Sequence, residues 1–305
     1  MSASPSAHDV GRILTSDFLQ ILQIFADQLE LRESEINALN VFPVPDSDTG
    51  TNSLLTVQAG IMGLSANPVD RESLTLTVRQ FAQFASANAR GNSGTILAEY
   101  FRGLAMAVGD QADVANWYAG LQSAAKCAFE AVLNPSDGTI LSVAQAVAKV
   151  RPTFELFAYL GDVTHVAKSA LLRTTSQLAQ LQNAQVVDAG ACVLVLFHES
   201  VSSFYNNHQV NISFMHERTN LPPLIEYVGP SFELTFLLTT SKDAREQLRV
   251  ALAELGESIT IAGITPEFKV HIHTDEVSRV LDVAESLGAV SMITTTSLAG
   301  QLSES

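Results

Sequence analysis

Asp46 and Asp48 stand two apart in NVFPVPDSDTGTN, the stretch from Asn40 to Asn52. Two carboxylates in one loop can turn toward one point and share hard cations. Mg²⁺ prefers oxygen ligands, usually one or two carboxylates plus substrate phosphates. Thr49, Gly50, Thr51 and Asn52 follow, with a helix expected from about Ser53. Such a run sets N–H groups and hydroxyls at a helix N-terminus, where anions bind. A metal–phosphate site is one reading. The other is a solvated turn whose Asp caps the next helix.

The same device recurs. ARGNSGTILAEYF (89–101) brings Asn92, Ser93, Gly94 and Thr95 to a helix start. LNPSDGTILSVAQ (133–145) does so with Gly138 and Thr139, and VVDAGACVLVL with Asp188 and Gly190. Each alone reads equally as an ordinary helix–helix turn. Converging at one end of a helical bundle, they form a nucleotide pocket. That pocket is not a P-loop, because GxxxxGK[ST] does not occur. Neither does a strand–GxGxxG–helix or the protein-kinase signature set.

A second cluster of chemistry is His271 and His273, flanking Ile272 on an expected strand. Residues two apart share a face, so both rings point away from Phe268, Val270 and Ile272. Glu233 holds the equivalent outer position on an expected neighbouring strand. Two imidazoles and a carboxylate can bind Zn²⁺. The alternative is a pair of half-exposed strand histidines. His8, His165, His198, His208 and His216 are scattered and read as surface or packing residues.

The elements that must position these groups fall into two classes. Helical spacing covers roughly 10–30, 53–64, 73–89, 94–109, 113–132, 139–150, 160–182 and 189–206. Short connectors between them predict an antiparallel helical barrel or bundle over residues 1–216. ERTNLPPLIEYVGPS has three prolines and no period, so 217–230 reads as a linker. Residues 231–305 then run strand, helix, strand, strand, helix, strand, the ferredoxin-like βαββαβ order. A small sheet with two helices on one face follows.

Composition narrows the function classes. An apolar fraction of 47% over 305 residues is enough for a substantial core. A formal charge of −15 argues against a nucleic-acid partner, whose phosphates need clustered Lys and Arg. It leaves room for a phosphate ligand that arrives with cations. Cys127 and Cys192 sit in apolar helical runs and read as buried thiols, which suits a reducing cytoplasm. The N-terminal MSASPSAHDVGR lacks the pattern of a secretory signal, and no apolar stretch has the roughly 18 residues of a membrane span.

NALNVFPVPDSDTGTN, ARGNSGTILAEYFRG, NPSDGTIL and VVDAGA resemble, in order, the signature segments of the dihydroxyacetone-kinase nucleotide-binding (L-subunit) superfamily. The closer likeness is to the branch containing the catalytic chain of bacterial fatty-acid kinase, and FKVHIHTDEVSRVL resembles the middle domain of that chain. The resemblance implies an eight-helix barrel binding ATP or ADP at one end, with two Mg²⁺ bridging the phosphates. Asp46 and Asp48 are the implied metal ligands, with Asn40 as the nearest candidate for a third. Thr49, Thr51, Asn52, Asn92, Ser93 and Gly94 would lie around the phosphates. Gly138, Thr139, Asp188 and Gly190 would lie nearer ribose and base.

The implied reaction is phosphoryl transfer to a fatty acid presented by a separate carrier protein of the DegV type, giving an acyl phosphate; homodimerisation is also implied. A carboxylate acceptor needs no general base, and no histidine sits in the motifs. Two further readings remain: a dihydroxyacetone-kinase-like component that keeps ADP bound, and a non-catalytic nucleotide-binding regulator. Ser47 replaces the Gly usual between the aspartates, and Ala191 replaces the last Gly of Asp-x-Gly-Gly. The middle domain of fatty-acid kinase pairs its His-x-His with a Cys, whereas here Glu233 lies near that place. The catalytic chain of fatty-acid kinase carries in addition a third, C-terminal module, which is absent from a sequence ending at SLAGQLSES.

Overall fold

The structure, a computed structural model, describes residues 11–67, 72–206, 209–210 and 229–298. Helices come first: α1 (Thr15–Leu31), α2 (Glu33–Ala38), α3 (Thr49–Ala66), α4 (Leu74–Ala87), α5 (Gly91–Ala107), α6 (Val114–Ala131), α7 (Ile140–Val147), α8 (Leu156–Gln177), α9 (Ala179–Ala184) and α10 (Ala189–Asn206). All but α2 and α9 answer the periodic runs of the sequence. Those two span six residues each, too short to show a period. Two starts differ from expectation. Helix α3 opens at Thr49 rather than Ser53, and α5 at Gly91 rather than Gly94. Gly, Asn and Thr are modest helix formers, so a first turn made of them reads as loop until tertiary contacts hold it.

Apart from α2 and α9, each helix packs on its chain neighbour, and α10 closes the ring on α1. This is the expected eight-helix barrel. Up-and-down alternation around the ring brings the N-termini of α3, α5, α7 and α10 to one end. Helix α10 is apolar on nearly every side and is buried accordingly. Phe197 on it meets Phe101 and Phe25 with ring centroids 4.9 Å and 5.6 Å apart, both edge-on. Cys127 and Cys192 are free and buried, as their apolar settings predict. No helix among the described residues is long and apolar enough to cross a membrane.

His198 is a packing residue of this core. Its Nε2 lies 3.2 Å from the Tyr100 hydroxyl, and burial pushes its pKa down to about 3. Between that value and the unfolded value near 6.5, the unfolded chain binds more protons at this site. Stability from this group is therefore complete above about pH 6.5 and is lost as pH falls toward 3, by up to roughly 5 kcal/mol. His198→Gln should flatten the acid limb of urea unfolding between pH 6.5 and 4. Parallel wild-type and variant curves over that range would refute the assignment. His165 is exposed, while His8, His208 and His216 lie outside the described residues.

The second part comprises β1 (Phe232–Thr239), α11 (Arg245–Leu252), β2 (Glu257–Ile264), β3 (Glu267–Thr274), α12 (Val277–Leu287) and β4 (Ala289–Ser297). The sheet order is β2-β3-β1-β4, with every neighbouring pair antiparallel, as the βαββαβ pattern predicts. One face buries Phe236, Leu248, Phe268, Val270 and Ile272 in a separate core beneath α11 and α12. The other face turns toward the barrel, where β2 meets α4, α5 and α6, and β3 meets α5. The outer edge of β2 is sealed by the helical part: Leu133 N donates to Ile259 O at 3.0 Å, and Gly263 N donates to Glu99 Oε1 at 2.7 Å. An open strand edge is thereby covered. Of the expected linker 217–230, residues 217–228 lie outside the described residues.

Candidate functional site

A cavity of about 640 Å³ opens where the ring end meets the sheet. The loop before α3 carries Asp46 and Asp48 into it. Ser47 between them takes φ 56°, the left-handed conformation for which Gly is the usual residue. That twist lets two carboxylates separated by one residue face the same space.

Both are held by amides. Asn40 Nδ2 donates to Asp46 Oδ1 and, at 3.1 Å, to Val44 O, while Asn40 Oδ1 accepts from Thr49 Oγ1 at 2.7 Å. Asn52 Nδ2 donates to Asp48 Oδ2 at 2.7 Å. The geometry thus sets Asn40 as an orienting group that turns its amide N–H₂, rather than its oxygen, toward Asp46.

Gly91 has φ +57°, and a Cβ there would lie 2.6 Å from Asn52 Nδ2. Gly91→Ala should cost about 1–2 kcal/mol for the left-handed backbone alone, and more as Asn52 is driven off Asp48. Thermal denaturation checks this; an unchanged midpoint would count against it.

The sheet supplies the facing wall. Glu233 lies opposite His273 across the β1–β3 pair. Glu233 Oε1 is 3.8 Å from His271 Nδ1, and the imidazole centroids are 5.0 Å apart. One ligand atom from each of the three residues lies within 4.8 Å of the others. His271 and His273 are only 1% and 3% exposed, so the half-exposed alternative is corrected. The barrel end covers that face of the sheet. Both ring nitrogens of His271, and Nδ1 of His273, are buried without a hydrogen-bond partner. Burial, then His273 and Lys269, push His271 well below its ordinary pKa, and burial takes His273 to about 4. Both imidazoles are therefore neutral, the form that binds metals. The His271–Glu233 contact is accordingly not an ion pair.

Electrostatics link the two clusters across the domain boundary. Burial raises the pKa of Asp46, and the charges of Asp48 and Glu233 raise it further; burial also raises Asp48. Glu233 is pushed up to about 7 by burial and then by Asp48. Carboxylates crowded into one partly dry space resist ionising together unless a cation joins them.

The four helix N-termini do not contribute alike. Gly50 N and Thr51 N both point to Asn37 Oδ1, at 2.7 and 3.2 Å. Thr51 Oγ1 bonds Glu33. Gly50 and Thr51 therefore fasten α3 to α2 and stand outside the cavity, while Thr49 and Asn52 line it. Gly94 lets α5 approach Thr56, and Thr95 Oγ1 turns back to Gly91 O at 2.8 Å, so neither reaches the cavity. Gly138 gives its N–H to Ser142 Oγ, and Thr139 reaches the wall. Asp188 caps α10 through Ala191 N at 2.7 Å, and burial lifts its pKa to about 7. Asp188 and Gly190 both line the cavity. Helix α5 differs: no side chain caps its first turn, and Asn92 and Ser93 face the cavity. Asn92 Oδ1 is buried with no partner.

Sequence spacing missed Glu257 and Thr260, which line the cavity from β2. Strict alternation puts residues three apart on opposite faces. A bulge between them, with Ser258 at φ 52°, brings both to the cavity side. Asn134 and Ser136 also line it, within the NPSDGTIL segment already singled out.

A family model described as the DAK2 domain matches residues 43–203. A second, described as the FakA-like middle domain of fatty acid kinase, matches residues 229–305. Protein YloV of Bacillus subtilis (strain 168) is 29% identical over 295 residues, covering 89% of this chain and 53% of its own length. An uncharacterized protein of Staphylococcus aureus (strain bovine RF122 / ET3-1) is 26% identical over 299 residues, covering 91% and 54%. The chain thus spans about half the length of the curated relatives it matches. A solved structure of the dihydroxyacetone kinase from C. freundii, in complex with AMP-PNP and Mg²⁺, aligns with a TM-score of 0.48 and 17% identity, over 67% of this chain and 37% of that one. The DAK2 match takes in more than half of the residues, and the chain belongs to the DAK2 domain family, with a FakA-like middle domain following.

Proposed function

We propose that the chain is an ATP-dependent phosphotransferase that uses the cavity between barrel and sheet. The observation that carries this reading is the meeting of Asp46, Asp48, the uncapped start of α5 and the Glu233–His271–His273 trio on one space. Asp46 and Asp48 would hold Mg²⁺, whose chemistry there is to neutralise charge on the β- and γ-phosphates. Asn40 and Asn52 keep the two carboxylates aimed. The first-turn N–H groups of α5, with Asn92 and Ser93, bind the transferred phosphoryl group. Thr139, Asp188 and Gly190 line the ribose and base end. The sheet wall excludes water from the opposite side.

The acceptor in this proposal is a carboxylate, namely a fatty acid delivered by a carrier protein in the cytoplasm. It needs no proton removed near pH 7, which agrees with two histidines held neutral and no base in the aspartate loop. The test is calorimetric titration of ADP and a non-hydrolysable ATP analogue, with and without Mg²⁺, followed by ATP turnover with a fatty acid and its carrier. Binding that ignores Mg²⁺, or no binding, sinks the reading. Binding without turnover leaves the nucleotide site and removes the acceptor.

The trio fits a transition ion such as Zn²⁺, because its imidazoles are neutral, unpartnered and convergent with a carboxylate. One Zn²⁺ or Co²⁺ per chain is expected. His271→Ala or His273→Ala should weaken that binding by about a hundredfold or more. Equal metal content in wild type and both variants after dialysis would reject the site.

A further inference from the structure

The two walls of the cavity are joined through one short segment. Helix α6 ends at Ala131, and the chain from Val132 to Thr139 runs along the cavity. The second half of this segment is held by the helical part. Thr139 Oγ1 donates to Ser136 O, and Gly138 N donates to Ser142 Oγ, both at 2.8 Å. The first half belongs to the sheet. Val132 bridges Thr260 as an extra rung, Leu133 N donates to Ile259 O, and the Leu133 side chain packs on the small core.

Arg249, on α11, completes this hold. Its guanidinium donates to Glu130 O at 3.0 Å, Val132 O at 3.3 Å and Leu133 O at 3.4 Å, and it meets Glu246 at 3.8 Å. These carbonyls are those a helix leaves without partners where it ends, and a cation suits them. The side chain sits in one domain and the carbonyls in the other.

We propose that Arg249 is a positioning residue for the nucleotide: it fixes the start of the 132–139 segment, so affinity in the helical cavity depends on a side chain of the small domain. The inference rests on the nucleotide reading above. Its physical basis is that a wall segment already ordered costs no further entropy when ligand binds.

Arg245, one turn earlier on α11, is the internal control. It donates to Ile261 O and Gly263 O and pairs with Glu99, docking the sheet on α5 without touching the 132–139 segment. The experiment titrates Mg²⁺·ADP into the full chain as wild type, Arg249→Ala, Arg249→Lys and Arg245→Ala. Amide exchange at Leu133 is measured in parallel. Arg249→Ala should weaken ADP binding about tenfold and speed exchange at Leu133. Arg249→Lys, which reaches fewer carbonyls, should recover part of the loss, and Arg245→Ala should stay within about threefold of wild type. Wild-type affinity or unchanged Leu133 exchange in Arg249→Ala overturns the inference. So does an equal loss in Arg245→Ala, which would make both arginines general docking groups. A wild type that binds no Mg²⁺·ADP defeats the nucleotide reading and the inference together, and is recognised without any variant.

Discussion

Replacing Asp46 and Asp48 together by Asn should abolish Mg²⁺-dependent nucleotide binding while leaving the ligand-free protein at least as stable as wild type. The two effects have one cause. In the ligand-free cavity both carboxyls are pushed upward, Asp46 by burial and then by Asp48 and Glu233, and Asp48 by burial. A carboxyl whose folded pKa exceeds its unfolded value opposes folding once pH rises above the unfolded value near 4, and the loss is complete above the folded value. Removing both charges relieves that opposition at neutral pH.

The same change removes the oxygens that a hard cation requires, so Mg²⁺·ADP affinity should fall by about a hundredfold or more. Titration calorimetry and thermal denaturation at pH 7.5 read the two arms. A double variant that binds with wild-type affinity would remove the aspartates from the site. One that loses binding only because it has unfolded would be exposed by the melting curve. A gain in stability accompanied by loss of binding is the pattern expected of groups held for a ligand rather than for the fold.

Glu99→Ala should be the most damaging single substitution at the junction of the two parts. Glu99 is fully buried on α5 and carries several partners at once. Arg102 grips both carboxylate oxygens, with Nε at 2.9 and 3.0 Å and a terminal nitrogen at 2.7 Å. Gly263 N donates at 2.7 Å, and Arg245 lies at 3.6 Å. Truncation leaves two guanidinium groups and a strand N–H facing a gap.

Breaking a buried pair from one side costs about 3–5 kcal/mol. The lower figure applies here, because Arg102 and Arg245 keep about a fifth of their side chains exposed. Glu99→Gln retains an acceptor and should lose about half as much. Chemical denaturation followed by circular dichroism separates these cases. Loss of under about 0.5 kcal/mol for the Ala variant would mean that water replaces the carboxylate, and that the domains are held by the Leu133–Ile259 rung and apolar contact instead.

Much of this was legible in the linear chain. Helix periodicity marked the eight ring helices, since an amphipathic stripe of several turns leaves a repeated signal. Alternation marked the strands, and the order βαββαβ carried the sheet topology, because connection rules leave few arrangements. The Asp46–Asp48 pair and the small-residue helix starts were visible as residue types at short spacing. Even the strain at Ser47 follows from its place between two carboxylates that must face one way.

What the chain could not display is anything set by elements far apart in sequence. Gly50 and Thr51 look the same as Thr49 and Asn52 until Asn37 is seen taking their N–H groups. The burial of His271 and His273 depends on the barrel end lying against β3. Glu257 enters the cavity only through a bulge that breaks the period of its strand. Arg249 reads as one charge on an exposed helix face, and its hold on Val132 and Leu133 spans more than a hundred residues of chain. Short-range pattern specifies which elements form, because helix and strand periods are local. Tertiary packing decides which polar atoms remain free for a ligand, because that depends on what lies opposite them once the two domains have met.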